Sequence, residues 1–541
     1  MKDISSTGSF VDFTLENFIY VDKTVYIPQL VKLKRVFISR PRRFGKSLTL
    51  DTIATLFETG VEPYFKGTWI YDKWTEPTYP VLRLNFLNFD KNTLEKFNNK
   101  LNSKITEFAE LNQVTTFKEK EEAEDSIDHL LEQLRLENRQ IVILIDEYDC
   151  QMTANINNET LYKLFQEKIK SFYANIKDKF AIKFLGITGV TRLKDVSIFS
   201  VGSDINDITN ASAYSQMIGF TRDEIKKYYI DYLKLASSYE NNCSVDDVTD
   251  TQLESMLDMM AQNYDGYCFD EDYEKKVFST WSVNKFFQTM IEKKKVQFGE
   301  YWYDNGGLPS ILVNYLKTHE LNIFEYLDKD KFLKVSSDDF KNPTALTTIN
   351  QNVLMCQTGY LTLRSDLNKT STVALGIPNG EIYKALNRLL ANNIFKGNTD
   401  ITDDYGRSLL EVGTVDDIIN LFNSALNSVS YDNYPIVSES SVQNMLKLYL
   451  LGAHQEVLSE VHEAKGRADL VVNTDNRRIV FEFKYAKNEA EAKSKLSEAV
   501  EQIKTRDYGN ILPKKNELIR IAAVFNADPK VRAFTENQIV P

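Results

Sequence analysis

The chain has 541 residues, with 43% hydrophobic and 12% aromatic residues and a formal net charge of -12. That length exceeds a single hydrophobic core and predicts roughly two to four domains. The composition excludes a disordered chain, and the negative charge excludes indiscriminate coating of nucleic acid. The charge is unevenly spread: residues 431–541 carry 16 Lys and Arg against 16 Asp and Glu, so the acid excess lies before them and a local nucleic-acid site there stays open. Cys150, Cys243, Cys268 and Cys356 are widely spaced without a C-x-x-C pair. Neither disulfides nor a zinc site is expected, and a reducing, cytoplasmic setting is the default. The first ten residues lack the apolar core of a signal peptide, and the most apolar run, residues 141–145, is far too short to cross a bilayer. No internal repeat or low-complexity tract interrupts the chain.

Residues 9–34 carry aromatic and apolar groups and end in a helix-like stretch, residues 22–33. A β-prone run, Val36-Phe37-Ile38, then leads through Pro41 and a basic loop to Gly45-Lys46-Ser47. A helical pattern follows over residues 48–58, with Leu48, Ile53, Leu56 and Phe57 on its apolar side. Strand, loop, Gly-Lys-Ser and helix in that order make a phosphate-binding loop. Backbone N–H groups and the helix dipole favour an anion there. Lys46 is placed to neutralise β- and γ-phosphates, and the Ser47 hydroxyl to ligate Mg²⁺. Residues 31–50 hold seven Lys and Arg and no acid, which adds Arg42, Arg43 and the Gly45 backbone to the candidate phosphate contacts. The first glycine of the usual G-x-x-x-x-G-K-[ST] pattern is replaced by Arg40.

Residues 81–86 alternate as a strand, and residues 92–138, rich in Glu, Lys and Leu, read as surface helices. Five apolar residues, Ile141-Val142-Ile143-Leu144-Ile145, predict a strand buried on both faces, as in a parallel sheet. Asp146 and Glu147 close it at the end where α/β sheets bind ligands. Asp146 is the candidate Mg²⁺ ligand, and Glu147 the group that polarises the attacking water. A further strand, residues 181–187, ends in Thr188, placed to sense a γ-phosphate, with Arg192 beyond it as a charge clamp. Residues 219–290 look helical, with Thr221 and Glu224 spaced as a capping box. Residues 300–425 mix helices and short strands without a catalytic cluster. His319 is the one histidine between residues 130 and 453, with no nucleophile beside it.

After a polar stretch at residues 427–441, a helix-like segment is expected over residues 441–460 and a strand over residues 466–472. A turn at residues 473–476 leads into a second strand, residues 478–484, and a helix over residues 489–503 carries Gln502. With Asp475 and Asn476 at the centre of the turn, cross-strand partners are Leu470 with Phe481, Val472 with Ile479, and Asp469 with Glu482. Lys484 shares the face of Glu482. Two facing acids destabilise a sheet unless a cation relieves them. Asp469 and Glu482 are therefore candidate Mg²⁺ ligands, Glu460 a further one, and Lys484 the group that positions water for attack on a phosphodiester.

Tyr20-Val21-Asp22-Lys23-Thr24, residues 40–47, Asp146-Glu147-Tyr148-Asp149, Thr188-Gly189 and Tyr264-Asp265-Gly266-Tyr267 resemble the AAA-ATPase-like family of prokaryotic proteins. That family commonly carries Pro-Arg-Arg-Phe-Gly-Lys-Ser, so Arg40 fits its pattern. Gly466-Arg467-Ala468-Asp469 with Glu482-Phe483-Lys484 resembles the PD-(D/E)XK nuclease superfamily module that often follows this ATPase. The resemblance covers roughly residues 9–270 and 435–525. It implies an α/β chain: a P-loop NTPase parallel sheet with helices on both faces, a helical, winged-helix-like middle, and a C-terminal restriction-endonuclease-like α/β domain. The expected limits are residues 1–235, 236–430 and 431–541. The expected activity is ATP binding and hydrolysis coupled to metal-dependent action on DNA or RNA. ATP and Mg²⁺ are the cofactors; self-association is compatible with this reading and a membrane is not involved. One alternative is a signalling or defence NTPase whose C-terminal domain binds without cleaving. Another is a nucleotide-gated interaction protein without turnover.

Overall fold

The computed structural model describes residues 1–541 apart from 6, 178, 194–204, 305–309, 317, 318, 320–322, 344, 396–404, 454, 464, 465 and 511–516. Contacts divide the chain into two units, Met1–His319 with Phe332–Ile382, and Glu320–Lys331 with Tyr383–Pro541.

In the first unit, five strands form one parallel sheet: β1 (Arg35–Ser39), β2 (Val81–Asn85), β3 (Ile141–Asp146), β4 (Ile182–Gly189) and β5 (Asn206–Asp207). Their order is β2-β3-β4-β1-β5. Every residue of β3 is buried, as its unbroken apolar run predicts. The register aligns Ile145 with Ile187 and Ser39 with Gly189. The carboxyl ends of β1, β3 and β4 therefore meet at one edge. The Lys46–Thr59 helix starts there and buries Leu50, Ile53, Leu56 and Phe57. The surface helices expected over residues 92–138 are Leu94–Leu111 and Ala123–Leu136.

Residues 222–293 form a helical region around a core of Tyr229, Leu233, Met256, Met260, Phe286 and Phe287. Its first helix, Arg222–Tyr228, carries the predicted capping box between Thr221 and Glu224. Beyond it, β6 (Leu333–Ser336), β7 (Thr362–Leu363) and β8 (Thr372–Gly376) make a small antiparallel sheet in the order β6-β8-β7. That sheet, with the Gln351–Gln357 helix, is what stands where a winged-helix-like middle is expected.

The second unit holds β9 (Glu456–Glu463), β10 (Gly466–Asn473), β11 (Arg477–Ala486), β12 (Glu517–Asn526) and β13 (Ala533–Ile539) in the order β13-β12-β11-β10-β9. Only β11 and β12 run parallel, so the sheet is mixed. One face packs Ala468, Val471 and Val480 against Ala499 and Ile503 of the Glu489–Arg506 helix. The other stacks Phe481 and Phe483 with Phe422 and Phe534. One expectation is corrected here. The helix expected over residues 441–460 is Glu439–Gly452 and ends at Gly452; Glu460 lies on β9. The run Glu456-Val457-Leu458-Ser459-Glu460-Val461 has no strict alternation, and its place in the sheet is set by pairing with β10, as in Val472 with Val457 and Ala468 with Val461.

Candidate active sites

The first site is built where β1 hands over to its helix. Gly45 caps that helix at φ 99° and provides no side-chain cap, so the N–H groups of the first turn stay available. Arg43, two residues earlier, is also left-handed at φ 70°, and such turns gather N–H groups into anion-binding concavities. The Lys46 ammonium is buried. It donates to the carbonyls of Arg40 (3.0 Å) and Pro41 (3.1 Å) and lies 3.7 Å from Glu147 Oε1.

Ser47 Oγ donates to Asp146 Oδ2 at 2.6 Å. Asp146 Oδ1 accepts from the Glu147 N–H at 3.0 Å and from the Thr188 hydroxyl. Four sequence candidates, Ser47, Asp146, Glu147 and Thr188, thus converge with Lys46. Glu147 sits at φ 53°, a conformation that costs a non-glycine residue about 1 kcal/mol and recurs at functional sites. Burial pushes its carboxyl above the usual range, while Lys46 and, more weakly, Arg42 pull it down. Beside Gly45 and Thr49 opens a cavity of about 170 Å³, lined by Tyr26, Ile27, Leu48, Ile218 and Trp281 among others.

Two of the expected phosphate contacts turn elsewhere. Arg43 donates to the carbonyls of Tyr301 (2.6 Å) and Trp302 (3.1 Å), and its guanidinium lies 4.8 Å from the Trp281 ring. Arg192 is ion-paired with Asp207 of β5. The neighbouring loop residues are anchored too. Arg40 is buried, donates to the Ser39 carbonyl at 2.9 Å and to that of Thr209, and stacks 4.2 Å over Phe269. Burial lowers its pKa to about 9. Phe44 is fully buried edge-on to Tyr267 and Phe269. Pro41 and Trp302 approach Gly359, where an added Cβ would stand 2.9 Å from Pro41 Cβ.

The remaining sequence motifs serve this frame. Asp22 accepts from the N–H groups of Thr24 (2.9 Å) and Trp69 (2.6 Å), and Lys23 donates to Glu224 (2.6 Å) and the Gln216 carbonyl (2.7 Å). Asp149, fully buried, accepts from the N–H groups of Thr191 (2.7 Å) and Val190 (3.3 Å) and so fixes the loop after β4. Gly189 is required there: an added Cβ would lie 2.4 Å from Tyr148 Cδ1.

The second site lies on the β10–β11 hairpin. Four pairs, Leu470 with Phe481, Val471 with Val480, Val472 with Ile479 and Asn473 with Arg478, have the predicted register. The ladder stops short of Asp469, whose Oδ2 instead accepts the Phe483 N–H at 2.8 Å. Glu482 is completely buried. Its Oε1 accepts from Lys484 Nζ at 2.8 Å, and its Oε2 has no hydrogen-bond partner among the described residues. Burial and then the charge of Asp469 push the Glu482 carboxyl up to about 7, with Lys484 acting against them. Lys484 also lies 3.4 Å from Glu439, at the start of the Glu439–Gly452 helix. Sequence reading missed Glu439; its one signal is an acid on a helix start, which is common.

A buried carboxylate oxygen without a donor, next to a second acid, fits a cation. Glu460 is on β9, where the flanking pairs Ala468 with Val461 and Leu470 with Ser459 set it beside Asp469; its side chain lies outside the described residues. Among the described residues, no group of three or more His, Cys, Asp or Glu is placed to hold a metal ion. The described acids here are the Asp469 and Glu482 pair, with Glu439 on the far side of Lys484. No helix of the described residues is long and apolar enough to cross a membrane.

The family model described as "Predicted AAA-ATPase" matches residues 5–199, and that of the "PD-(D/E)XK nuclease superfamily" matches residues 437–535. A protein of Azotobacter chroococcum mcd 1, described as "Uncharacterized protein in vnfD 5'region", is 26% identical over 533 residues, covering 95% of this chain and 94% of that one. Among solved structures, Cdc6p from Pyrobaculum aerophilum aligns at 11% identity with a TM-score of 0.24, over 68% of this chain and 91% of that one. The ORC2 protein of Aeropyrum pernix, in ADPNP–ADP complexes, aligns at 11% identity with a TM-score of 0.29, over 68% and 91%.

Proposed function

This chain joins an AAA-ATPase-like domain to a PD-(D/E)XK nuclease superfamily domain, and we propose that it hydrolyses ATP and cleaves nucleic acid phosphodiesters under ATP control. On this reading the ATPase would span residues 1–235, the helical, winged-helix-like middle residues 236–430 and the nuclease-like domain residues 431–541. The observation that carries the reading is the buried Glu482 carboxylate, with one oxygen on Lys484, the other without a donor among the described residues, and the charge of Asp469 close by.

In the ATPase, Lys46 counters the charge of the β- and γ-phosphates once it leaves the carbonyls of Arg40 and Pro41. Ser47 and Asp146 hold Mg²⁺. Glu147 orients and polarises water, its carboxyl held above the usual range by burial. The apolar and aromatic cavity beside Gly45 suits a nucleobase. In the nuclease-like domain, Asp469 and Glu482 hold a divalent cation. Such a cation lowers the pKa of bound water and offsets charge on the phosphate. Lys484, fixed by Glu482 and Glu439, positions the attacking water.

The test is incubation of purified protein with single- and double-stranded DNA and RNA, with and without ATP and Mg²⁺ or Mn²⁺, beside Asp469→Ala. Cleavage by the wild type that the variant loses supports the reading. ATP turnover without any cleavage favours a switch whose C-terminal domain only binds. Cleavage by Asp469→Ala at the wild-type rate overturns the assignment of the site.

A further inference from the structure

We infer that Arg506 is a phosphate-contacting residue of the second site, and that Gly466 is glycine because the Arg506 side chain lies across it. The inference rests on reading that site as a phosphodiesterase. Arg506 is the last residue of the Glu489–Arg506 helix, opposite the start of β10. A Cβ built on Gly466 would stand 2.5 Å from Arg506 Cδ and 3.2 Å from its Nε, so a side chain there would push the Arg506 side chain aside. The guanidinium is aimed by one hydrogen bond, from Nη1 to the Tyr508 hydroxyl at 2.7 Å. Tyr508 is itself fully buried, and its hydroxyl also accepts from Gln502 Nε2 at 3.4 Å.

This hydrogen bond chiefly keeps the guanidinium protonated, with a smaller contribution from the charges of Glu482 and Asp469, which lie within electrostatic reach. The remaining donors, Nε and Nη2, have no hydrogen-bond partner among the described residues. A planar cation with open donors, beside the two acids that would hold a metal, suits a non-bridging oxygen of a phosphodiester. Lys484 is ion-paired with Glu482 and Glu439, and Arg506 adds a second cation able to offset charge developing on the phosphorus oxygens. Gly466 and Arg506 are 40 residues apart, and no spacing rule joins them.

The full-length protein is titrated onto fluorescein-labelled single- and double-stranded DNA and RNA oligonucleotides in Ca²⁺ over a series of salt concentrations. Single-turnover cleavage is then followed in Mn²⁺, and Mn²⁺ affinity is measured by calorimetry. Arg506→Ala is expected to weaken binding about tenfold and to reduce the dependence of log affinity on log salt by about one phosphate contact. It slows cleavage about a hundredfold, with Mn²⁺ affinity within about twofold of the wild type. Arg506→Lys restores the salt slope but not the rate, because lysine keeps the charge without the planar fork. Gly466→Ala reproduces Arg506→Ala by displacing the side chain. An unchanged salt slope and rate in Arg506→Ala overturns the inference, as does a loss of Mn²⁺ affinity that alone accounts for the slower cleavage. If the wild type binds with an Arg506-dependent slope but never cuts, the phosphate contact stands and the cleavage reading falls. If wild type and Arg506→Ala cut equally, the cleavage reading stands and the contact falls. A wild type that binds none of the oligonucleotides overturns both.

Discussion

Replacing Glu482 by glutamine removes the one titration that a bound cation would relieve. In the folded protein this carboxyl is raised from 4.5 to about 7, chiefly by burial and then by Asp469. At 1.36 kcal/mol per unit the whole shift corresponds to about 3 kcal/mol. The folded chain keeps a proton that the unfolded chain releases, so this stability is present below pH 4.5 and is lost as pH rises through about 7. Between pH 5 and pH 8 the wild type should lose about 2–3 kcal/mol that Glu482→Gln does not lose.

The two units can be read separately in one urea titration. Trp69, Trp74, Trp281 and Trp302, the four tryptophans of the chain, all lie in the first unit. Their fluorescence therefore follows that unit, while far-ultraviolet circular dichroism follows both. In metal chelator, the extra pH dependence should be confined to the dichroism transition. Millimolar Mg²⁺ or Mn²⁺ at pH 8 should restore it in the wild type and leave Glu482→Gln unmoved. The same pH dependence in both proteins, or equal metal stabilisation of both, would refute the placing of a cation on Glu482.

Lys46→Ala should weaken MgATP binding by about tenfold to a hundredfold in a calorimetric titration, because charge-assisted hydrogen bonds of about 1.5–3 kcal/mol are lost; unchanged affinity would remove Lys46 from the phosphates. Glu147→Gln should keep ATP bound but slow hydrolysis by about a hundredfold or more, and wild-type turnover in that variant would assign the base elsewhere. Gly189→Ala forces a Cβ to 2.4 Å from the Tyr148 ring, which should cost about 1–3 kcal/mol and lower the melting midpoint seen by tryptophan fluorescence. An unchanged midpoint would mean that Tyr148 moves aside freely.

The parts of this fold legible in the sequence are those with a local period or a local turn. The apolar run from Ile141 announced a buried parallel strand, and all six residues of β3 are buried. The hairpin register followed from one turn and two alternating strands, and the four pairs from Leu470 to Asn473 have it. Asp469 was harder to read. Its carboxylate competes with the ladder for the Phe483 N–H, a choice between side chain and backbone that alternation does not encode. The helix continued too far because nothing in the apolar spacing marks Gly452 as its end. The long-range polar contacts were invisible for another reason. Arg192 paired with Asp207, Lys23 with Glu224 and Arg43 with the Tyr301 carbonyl depend on which loops the fold brings together. A sequence shows their charges and not their partners.

A phosphate loop rich in glycine is pliant, and it must be ordered each time its ligand arrives. Here the position of the first glycine carries Arg40, whose side chain is sunk against Thr209 and Phe269, while Phe44 and Arg43 pin the turn from its other side. The loop has therefore surrendered much of its conformational entropy during folding, and on the proposed reading a nucleotide would meet a turn already ordered, with Lys46 to be released from the Arg40 and Pro41 carbonyls. The turn's anchors, Phe269 and residues 301–302, belong to the helical and downstream parts of the same unit. A shift of those parts would pull on the turn directly, through the contacts of Arg40 with Phe269 and of Arg43 with residues 301–302.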